Sequence, residues 1–339
     1  MIKWPWQRAV ADDRLVVCSS ADSFAYVQAD RPGTLQRCGV EARGADSPAD
    51  FARRLRALGL PARAVSAVLP LRHGQLLQVD APAVKPEEMK AAARWRIKDL
   101  VEERLDDMTI DVMMVGDDRQ RAHPQIFVAA ASNTKLREVG ELTRGAGLEL
   151  TVVELMETSQ RNLQTAIATA DGLAERASAA LMLHGNQCLL TICARGELFY
   201  TRRLDWDGAS LVNSPQAQAK PTPAQAELES VDFIDYGADL DAGPADDGDA
   251  PRLVIELQRS FDVWERSWPD LPLAGLWLQV GDDSPALAAT LESALGLRVQ
   301  VLDPERVFPG LAGLAGTPAV ASAVLPLLGA LLRHETRQL

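Results

Sequence analysis

The stretch from Leu276 to Pro304, LWLQVGDDSPALAATLESALGLRVQVLDP, decides the fold class because it contains a complete α/β unit. The short apolar run from Leu276 to Val280 predicts a buried strand, and the letters GDD that follow predict a tight turn. Ser284-Pro285 predicts a capped helix start with proline at the first helical position. Gly296 predicts a left-handed helix end, and Arg298 to Leu302 predicts a second strand.

The turn at Gly281 gives the first indication of function. In many nucleotide-binding folds a ligand lies over a turn in this place, because glycine lets the ligand approach the backbone closely. Here the glycine is followed by two carboxylates, Asp282 and Asp283, and carboxylates repel phosphates. The unit is therefore typical of a nucleotide-binding fold whose site has drifted.

The composition indicates an acidic globular protein. The 339 residues are 47% hydrophobic, which is enough for two lobes or several subdomains of about 100 to 150 residues each. The formal net charge of -12 and the lack of a basic run argue against nucleic acid as a partner. Cys18, Cys38, Cys188 and Cys193 have no CxxC spacing, so we expect free thiols and no metal site.

The apolar segments predict a cytoplasmic protein. The N-terminal residues MIKWPWQR are followed by a mixed segment that does not resemble the apolar core of a signal peptide. Ala319 to Leu332 is shorter than the roughly 20 residues that a bilayer-spanning helix needs, and we interpret it as a terminal core helix. Trp4 and Trp6 lie beside basic residues, and two roles stay open for them: contact with a membrane interface, or packing on the first lobe.

The first half of the chain predicts an α/β layer that is interrupted by a module of a different order. Leu15 to Val27 predicts a hairpin with its turn at Ser19-Ser20-Ala21-Asp22. From Gln75 to Gly147 the pattern changes to β-α-β-β-α, the order of a small split βαβ subdomain. The strand predicted at Glu149 to Glu154 is expected to rejoin the first layer.

The second half repeats the opening of the first. Ala179 to Thr191 and Leu198 to Leu204 again predict antiparallel strands with polar turns, and this similarity indicates an internal duplication. Residues Asp205 to Ala250 are rich in Pro, Gly, Ala and Asp and predict loops, with one strand at Val231 to Tyr236. An amphipathic helix is predicted from Leu253 onward.

Segments spread over most of the chain, taken in order, carry a family resemblance. They are VSAVLP (Val65 to Pro70), KPEEMKAAARWRIKDLVEERLDDMTIDVMMV (Lys85 to Val115), AAAS (Ala129 to Ser132), TVVELMETSQRN (Thr151 to Asn162), GELFYTRRL (Gly196 to Leu204), ELQRSFDVW (Glu256 to Trp264) and LGLRVQVLDP (Leu295 to Pro304). In this order they resemble the PilM and MshI type of actin-like protein from type IV and MSHA pilus assembly, a family related to the cell-division protein FtsA.

The resemblance implies an α/β protein with the two-lobed actin-like ATPase fold, in which ribonuclease H-like lobes carry an inserted small β-α-β-β-α subdomain. The expected division is residues 1–75 and 148–175 for the first lobe, 76–147 for the inserted subdomain, and 176–339 for the second lobe with a flexible loop around 207–250. It further implies a non-catalytic cytoplasmic scaffold, peripheral on the inner membrane. The implied partner is the N-terminal cytoplasmic tail of a PilN-like bitopic inner-membrane protein.

Actin-like ATPases hold phosphates between two glycine-containing hairpin turns and hold adenosine against a third turn. By the resemblance, the positions that would hold ATP and Mg²⁺ here are Ser19, Ser20, Asp22, Gly185 and Gly281. The first turn lacks glycine, the second carries His184 in place of an acidic residue, and the third carries carboxylates. We therefore expect no cofactor and no catalytic residue, and interpret His184 as a structural hydrogen-bonding residue. An ATP-binding or ATP-hydrolysing protein of the same machinery is the alternative.

A docking place for the partner tail is predicted on the helix from Met89 to Val101, in the inserted module. Arg94, Trp95 and Ile97 are the predicted contacts. A tail with basic and apolar residues would suit the acidic chain. The alternative for Trp95 is an ordinary core position. A self-assembling filament is a third class of function, and the sequence gives it no support.

Overall fold

The computed structural model describes residues 14–31, 34–61, 64–116, 124–205 and 252–333. Trp4, Trp6, the loop around 207–250 and the strand predicted at Val231 to Tyr236 lie outside the described residues. The strands are β1 (Arg14–Ser19), β2 (Ser23–Arg31), β3 (Thr34–Ala42), β4 (Val65–Leu69), β5 (Gly74–Asp80), β6 (Met108–Met114), β7 (Gln125–Ser132), β8 (Leu150–Leu155), β9 (Ala177–His184), β10 (Gln187–Ala194), β11 (Glu197–Asp205), β12 (Leu273–Gln279) and β13 (Val299–Val301). The helices are α1 (Pro48–Ala57), α2 (Pro86–Arg96), α3 (Asn133–Gly145), α4 (Met156–Ala170), α5 (Arg252–Ser267), α6 (Ser284–Leu295), α7 (Leu311–Ala315) and α8 (Pro318–Leu331).

Two five-stranded sheets share one topology. The first has the order β3-β2-β1-β4-β8 and the second the order β11-β10-β9-β12-β13. In each, three consecutive strands pair antiparallel, and two later strands then add in parallel. This shared order agrees with the internal duplication that the two hairpins indicated.

The first sheet is covered on one face by α1. Leu15 and Val17 alternate with Val16 along β1, and all three are buried because helices cover both faces of the strand. Pro48 lies in the first turn of α1, and the Ser47 side chain accepts a hydrogen bond from the backbone N–H of Asp50 at 3.2 Å. This cap sets the residue at which α1 begins. The buried face of α1 packs on the sheet.

The inserted subdomain is a three-stranded antiparallel sheet of order β5-β7-β6. Its elements follow the predicted β-α-β-β-α order, with α2 over one face and α3 on the other. Helix α2 ends at Arg96, five residues before the predicted end at Val101, because the chain leaves the helical conformation at Ile97 (φ -93°, ψ 3°) and places that side chain in the core.

The α/β unit from Leu276 to Pro304 forms as predicted, with one difference at the start of its helix. Strand β12 lies in parallel between β9 and β13, and Gly296 ends α6 with φ at 60°. Asp283, and not Ser284, is the N-cap residue. The Ser284 hydroxyl instead closes the preceding turn, because it accepts from the N–H of Val280 at 2.9 Å and donates to the carbonyl of Gly281 at 2.6 Å.

Helices α4 and α8 join the two lobes. Leu163 and Ile167 of α4 and Leu328 of α8 share one buried cluster with Val16 of the first sheet and Met182 of the second. The lobes therefore share a continuous apolar core. Within the described ranges, no helix combines the length and the apolar character that crossing a bilayer requires.

Candidate functional site

The three turns predicted for a nucleotide lie at the ends of parallel strands. Ser19 ends β1 and Ser20 follows it, Gly185 lies between β9 and β10, and Gly281 follows β12. Because β9 and β12 are parallel and Met182 is paired with Gln279, the turns at Gly185 and Gly281 both lie at the C-terminal ends of these strands, on the same side of the second sheet. The turn at Ser19 lies at the C-terminal end of β1, the corresponding strand of the first sheet.

The first turn is closed by its own side chains. The Ser20 hydroxyl accepts hydrogen bonds from the N–H groups of Ser23 at 3.1 Å and Asp22 at 3.3 Å, and lies 2.9 Å from the Ser23 hydroxyl. These are the bonds of a serine turn, which leave the hydroxyl occupied. The Asp22 residue is exposed at the tip of the turn.

The three turns do not fit a magnesium-bound triphosphate. Their described side chains are carboxylates, hydroxyls, amides and one imidazole, and no lysine or arginine stands in them to offset phosphate charge. Two small cavities of the described chain hold about 10 Å³ each and are lined by other residues. That is room for about one water molecule. Within the same ranges, no cluster of His, Cys, Asp and Glu could hold a metal ion, and the four cysteines are free.

The space between the lobes contains an arginine that the sequence analysis missed. Arg203 of β11 donates to the Glu157 carboxylate at 2.6 Å, and its guanidinium also donates to the carbonyls of Leu71 at 2.8 Å and Gly74 at 2.7 Å. Glu157 is 2% exposed and lies in the first turn of α4. Leu71 and Gly74 lie where the chain leaves the first sheet for the inserted subdomain. One side chain of the second lobe thus holds two segments of the first, and we call it the Arg203 clamp.

Two buried glutamines of α4 extend the contact between the lobes. The Gln160 amide donates to the carbonyl of Leu189 at 2.9 Å and to the hydroxyl of Thr191 at 2.9 Å. Gln164 accepts from the Thr191 hydroxyl at 2.6 Å and donates to the carbonyl of Ser178 at 2.7 Å. Buried amides with satisfied hydrogen bonds hold a helix in one position, so α4 is fixed on the second sheet.

His184 belongs to this same network. Its Nε2 lies 3.1 Å from the side-chain oxygen of Gln160, and its buried Nδ1 has no hydrogen-bond partner. Burial of the imidazole lowers the pKa of His184 from its ordinary value to about 4, and the charge of Arg203 acts in the same direction. The ring is therefore neutral at neutral pH and serves as a hydrogen-bonding residue between α4 and β9.

We expect His184 to make the folded protein less stable in mild acid. In the unfolded chain it takes up a proton near pH 6.5, but in the folded protein only near pH 4. Between these values the unfolded state binds more protons, so stability that is present above pH 6.5 is lost as the pH falls toward 4. The expected loss through His184 is about 2 kcal/mol between about pH 7 and about pH 5. Urea denaturation of the wild type and His184→Gln checks it, and identical pH dependence of the two would contradict it.

The structure exposes two of the three residues that were predicted to contact a partner tail and buries the third. Trp95 is 71% exposed, so the alternative that it is a core residue is wrong. Arg94 lies beside it and pairs with Asp106 at 3.0 Å. Ile97 is fully buried beneath α2, so its side chain does not reach the surface where a partner would lie. Arg94 and Trp95 stay as predicted contacts, and a direct contact from Ile97 is withdrawn.

The fold is similar to those of several solved structures. One is the PilM-PilN type IV pilus biogenesis complex, at 18% sequence identity and a TM-score of 0.64, covering 94% of this chain and 98% of that chain. A Bacteroides thetaiotaomicron protein with an actin-like ATPase fold matches at 10% identity and a TM-score of 0.48, over 87% and 92% of the two chains. The cytoplasmic domain of EpsL from the Vibrio cholerae type II secretion system matches at 14% and 0.40, over 62% and 79%. No family model and no curated protein matches the chain. The likeness to the PilM-PilN structure and the shared topology of the two five-stranded sheets show that this chain has the predicted two-lobed actin-like fold.

Proposed function

We propose that this chain is a non-catalytic scaffold of type IV pilus biogenesis that binds the N-terminal cytoplasmic tail of a PilN-like bitopic inner-membrane protein. The observation that carries the proposal is the likeness, over almost the whole of both chains, to a solved complex of PilM with PilN. The assignment to the MSHA branch, the relation to FtsA and the cytoplasmic position on the inner membrane belong to the same proposal. So do the domain boundaries after residues 75, 147 and 175.

The non-catalytic part of the proposal is supported by the turns between the lobes. Ser20 is occupied within its own turn, and Ser284 closes the turn at Gly281. The Arg203 clamp and the two glutamines of α4 bridge the lobes without a ligand. In an actin-like ATPase the bound nucleotide bridges the two lobes. A chain whose own side chains bridge the lobes does not need a nucleotide for this contact.

The inserted subdomain is the proposed docking place because it exposes apolar surface. Five large apolar side chains of the described chain are exposed, and three of them, Val84, Trp95 and Met114, belong to residues 76–147. Trp95 is the most exposed of the five, and tryptophan is enriched among the residues that dominate binding energies. The exposed carboxylates of Glu102 and Glu103 lie on the turns that follow α2 and suit a basic tail.

Replacing Trp95 by alanine is expected to weaken tail binding at least about tenfold, because the indole is an exposed anchor. The folded protein should lose less than about 0.5 kcal/mol of stability, since the side chain is mostly in water. Titration calorimetry with a synthetic peptide of the neighbouring bitopic protein's cytoplasmic tail measures the affinity, and thermal melts measure stability.

Leu314→Ala is the matched control, because Leu314 is also exposed, at 41%, but lies on α7, outside the inserted subdomain. It should leave tail binding unchanged. A wild-type protein that binds no tail peptide, but whose melting temperature rises with Mg-ATP, would overturn the scaffold function and favour the ATP-binding alternative. Equal affinity of Trp95→Ala and wild type would remove α2 from the docking place.

A further inference from the structure

Strand β6 is an edge strand of the inserted subdomain. It pairs with β7 on one side, and within the described part of the chain no strand lies on its other side. An open edge presents backbone N–H and C=O groups that another extended chain can pair with. Native proteins usually protect such an edge. The hydrogen bonds made by the outward-facing N–H groups of β6 therefore indicate whether a partner strand can pair with them.

The direction of the backbone groups of β6 follows from its neighbours. The N–H of Val115 donates to the carbonyl of Gln125, so this residue faces β7. Successive residues of an extended strand present their N–H groups to opposite sides, so Ile110, Val112 and Met114 present theirs to the open edge. The N–H of Val112 confirms this parity, because it donates to the side chain of Asp111 at 3.0 Å and not to β7.

The open edge is protected by a carboxylate. Asp111 accepts from the N–H of Val112 and also lies 3.8 Å from the ammonium group of Lys90 on α2. Both side chains of this pair are more than half exposed, at 56% and 59%, so water reaches the pair. An exposed ion pair contributes little to stability, and a competing backbone carbonyl can replace the carboxylate at modest cost.

One backbone hydrogen bond joins the residue just beyond this edge to another extended segment of the chain. The N–H of Gly116, just beyond β6, donates to the carbonyl of Leu198 on β11 at 2.7 Å. The open part of the edge, from Ile110 to Met114, is continuous with this contact. A strand added to it would therefore lie directly beside this hydrogen bond.

The surroundings of the edge favour a basic and apolar strand. The turns leading into β6 carry the exposed carboxylates of Glu102, Glu103 and Asp107, and two further exposed carboxylates, Asp106 and Asp111, pair with Arg94 and Lys90 of α2. Met114 adds an exposed apolar side chain at 46%. A strand whose basic residues alternate with apolar ones would pair its charges with the carboxylates and its apolar side chains with Met114.

We propose that the partner tail binds by strand addition to the open edge of β6, as an extended segment in which basic and apolar residues alternate. The inference rests on the proposed function and specifies how that docking occurs. On binding, a backbone carbonyl of the tail replaces Asp111 as acceptor for the N–H of Val112. Asp111 then pairs with a basic side chain of the tail.

The experiment compares Val112→Pro with Val112→Ala. Proline removes the N–H of residue 112, and a proline is tolerated in an edge strand where that N–H faces away from the ladder. Alanine removes most of the same side chain and keeps the N–H, so it is the matched control. Binding of the synthetic tail peptide is measured by calorimetry. We expect Val112→Ala to bind within about threefold of wild type and Val112→Pro at least about tenfold more weakly.

Amide hydrogen exchange of the wild type gives a second readout that does not depend on the fold of a variant. Peptide binding should slow exchange at Ile110, Val112 and Met114, whose N–H groups face the edge, and should leave their ladder-bonded neighbours unchanged. Tail binding to the wild type without this alternating protection, or equal affinity of the proline and alanine variants, would overturn strand addition and leave the scaffold function standing. A wild type that does not bind the tail would overturn both.

Discussion

Replacing Gly329 by alanine is expected to destabilise the folded protein by about 3 kcal/mol or more. A glycine-to-alanine change within a helix normally stabilises by up to about 1 kcal/mol, so the expected sign is the reverse of the ordinary one. A methyl group at this position would overlap the carbonyl oxygen of Ser159 on α4 and lie 2.6 Å from its carbonyl carbon. Because these are backbone atoms, they cannot rotate away, and α4 and α8 would have to separate.

The same crossing is held by a polar contact. The Ser159 hydroxyl donates to the carbonyl of Pro326 on α8 at 2.6 Å. Separation of the helices would break this bond and open the core that the two lobes share, which includes Leu163 and Leu328. The consequence should therefore extend to both lobes and lower the cooperativity of unfolding as well as its midpoint.

Gly140→Ala is the control for this prediction. Gly140 lies within α3, and a methyl group there would meet no atom within 4 Å. It should stabilise the protein by about 0.5 to 1 kcal/mol. Urea denaturation of both variants measures the two effects, and a Gly329→Ala variant as stable as Gly140→Ala would show that α4 and α8 do not cross as closely as described.

Local sequence signals were sufficient for the elements of the fold. Gly296 ends a helix as predicted because capping depends on residues within one turn, and the apolar run before Gly281 forms a buried strand as predicted. The β-α-β-β-α order of the inserted subdomain followed from periodicity in the same way. The predicted end of α2 lies too far along the chain. Ile97 continues the helical spacing of apolar residues in the sequence, but the chain leaves the helical conformation there and the Ile97 side chain lies in the core.

The contacts between the lobes could not be predicted in this way. Arg203 and Glu157 are 46 residues apart, and Arg203 and Leu71 are 132 apart. No local pattern assigns these residues to each other, and only the shared topology of the two sheets brings them together. The exposure of Trp95 was undetermined for a similar reason, since an apolar position near a helix end is buried or exposed according to what the sheet beneath it offers.

Replacing Arg203 by methionine is expected to destabilise the protein by about 3 kcal/mol. The change keeps much of the aliphatic volume but leaves Glu157, at 2% exposure, charged without its partner. The carbonyls of Leu71 and Gly74 lose the hydrogen bonds from the guanidinium at the same time. The Arg203 side chain is 26% exposed, so in the variant water can partly solvate the Glu157 carboxylate. We therefore expect a loss of stability at the lower end of the range for breaking a buried ion pair.

Arg202→Met separates the role of the clamp from the loss of any arginine on β11. Arg202 pairs with Glu256 on α5, a contact within the second lobe, and both side chains are more exposed than Glu157, at 32% and 19%. It should cost about 1 kcal/mol. The double variant Arg203→Met with Glu157→Gln should recover about half of the loss, because no buried charge remains.

Hydrogen exchange decides whether the Arg203 clamp connects the lobes or only stabilises β11. If it connects them, Arg203→Met should speed exchange in the 71–74 segment and in the first turn of α4 as well as along β11, because all three lose the same guanidinium. Arg202→Met should leave the first two unchanged. A loss of protection confined to β11 would mean that the lobes are held by the core and the glutamines of α4 alone. Loss in all three would show that the Arg203 side chain connects the lobes.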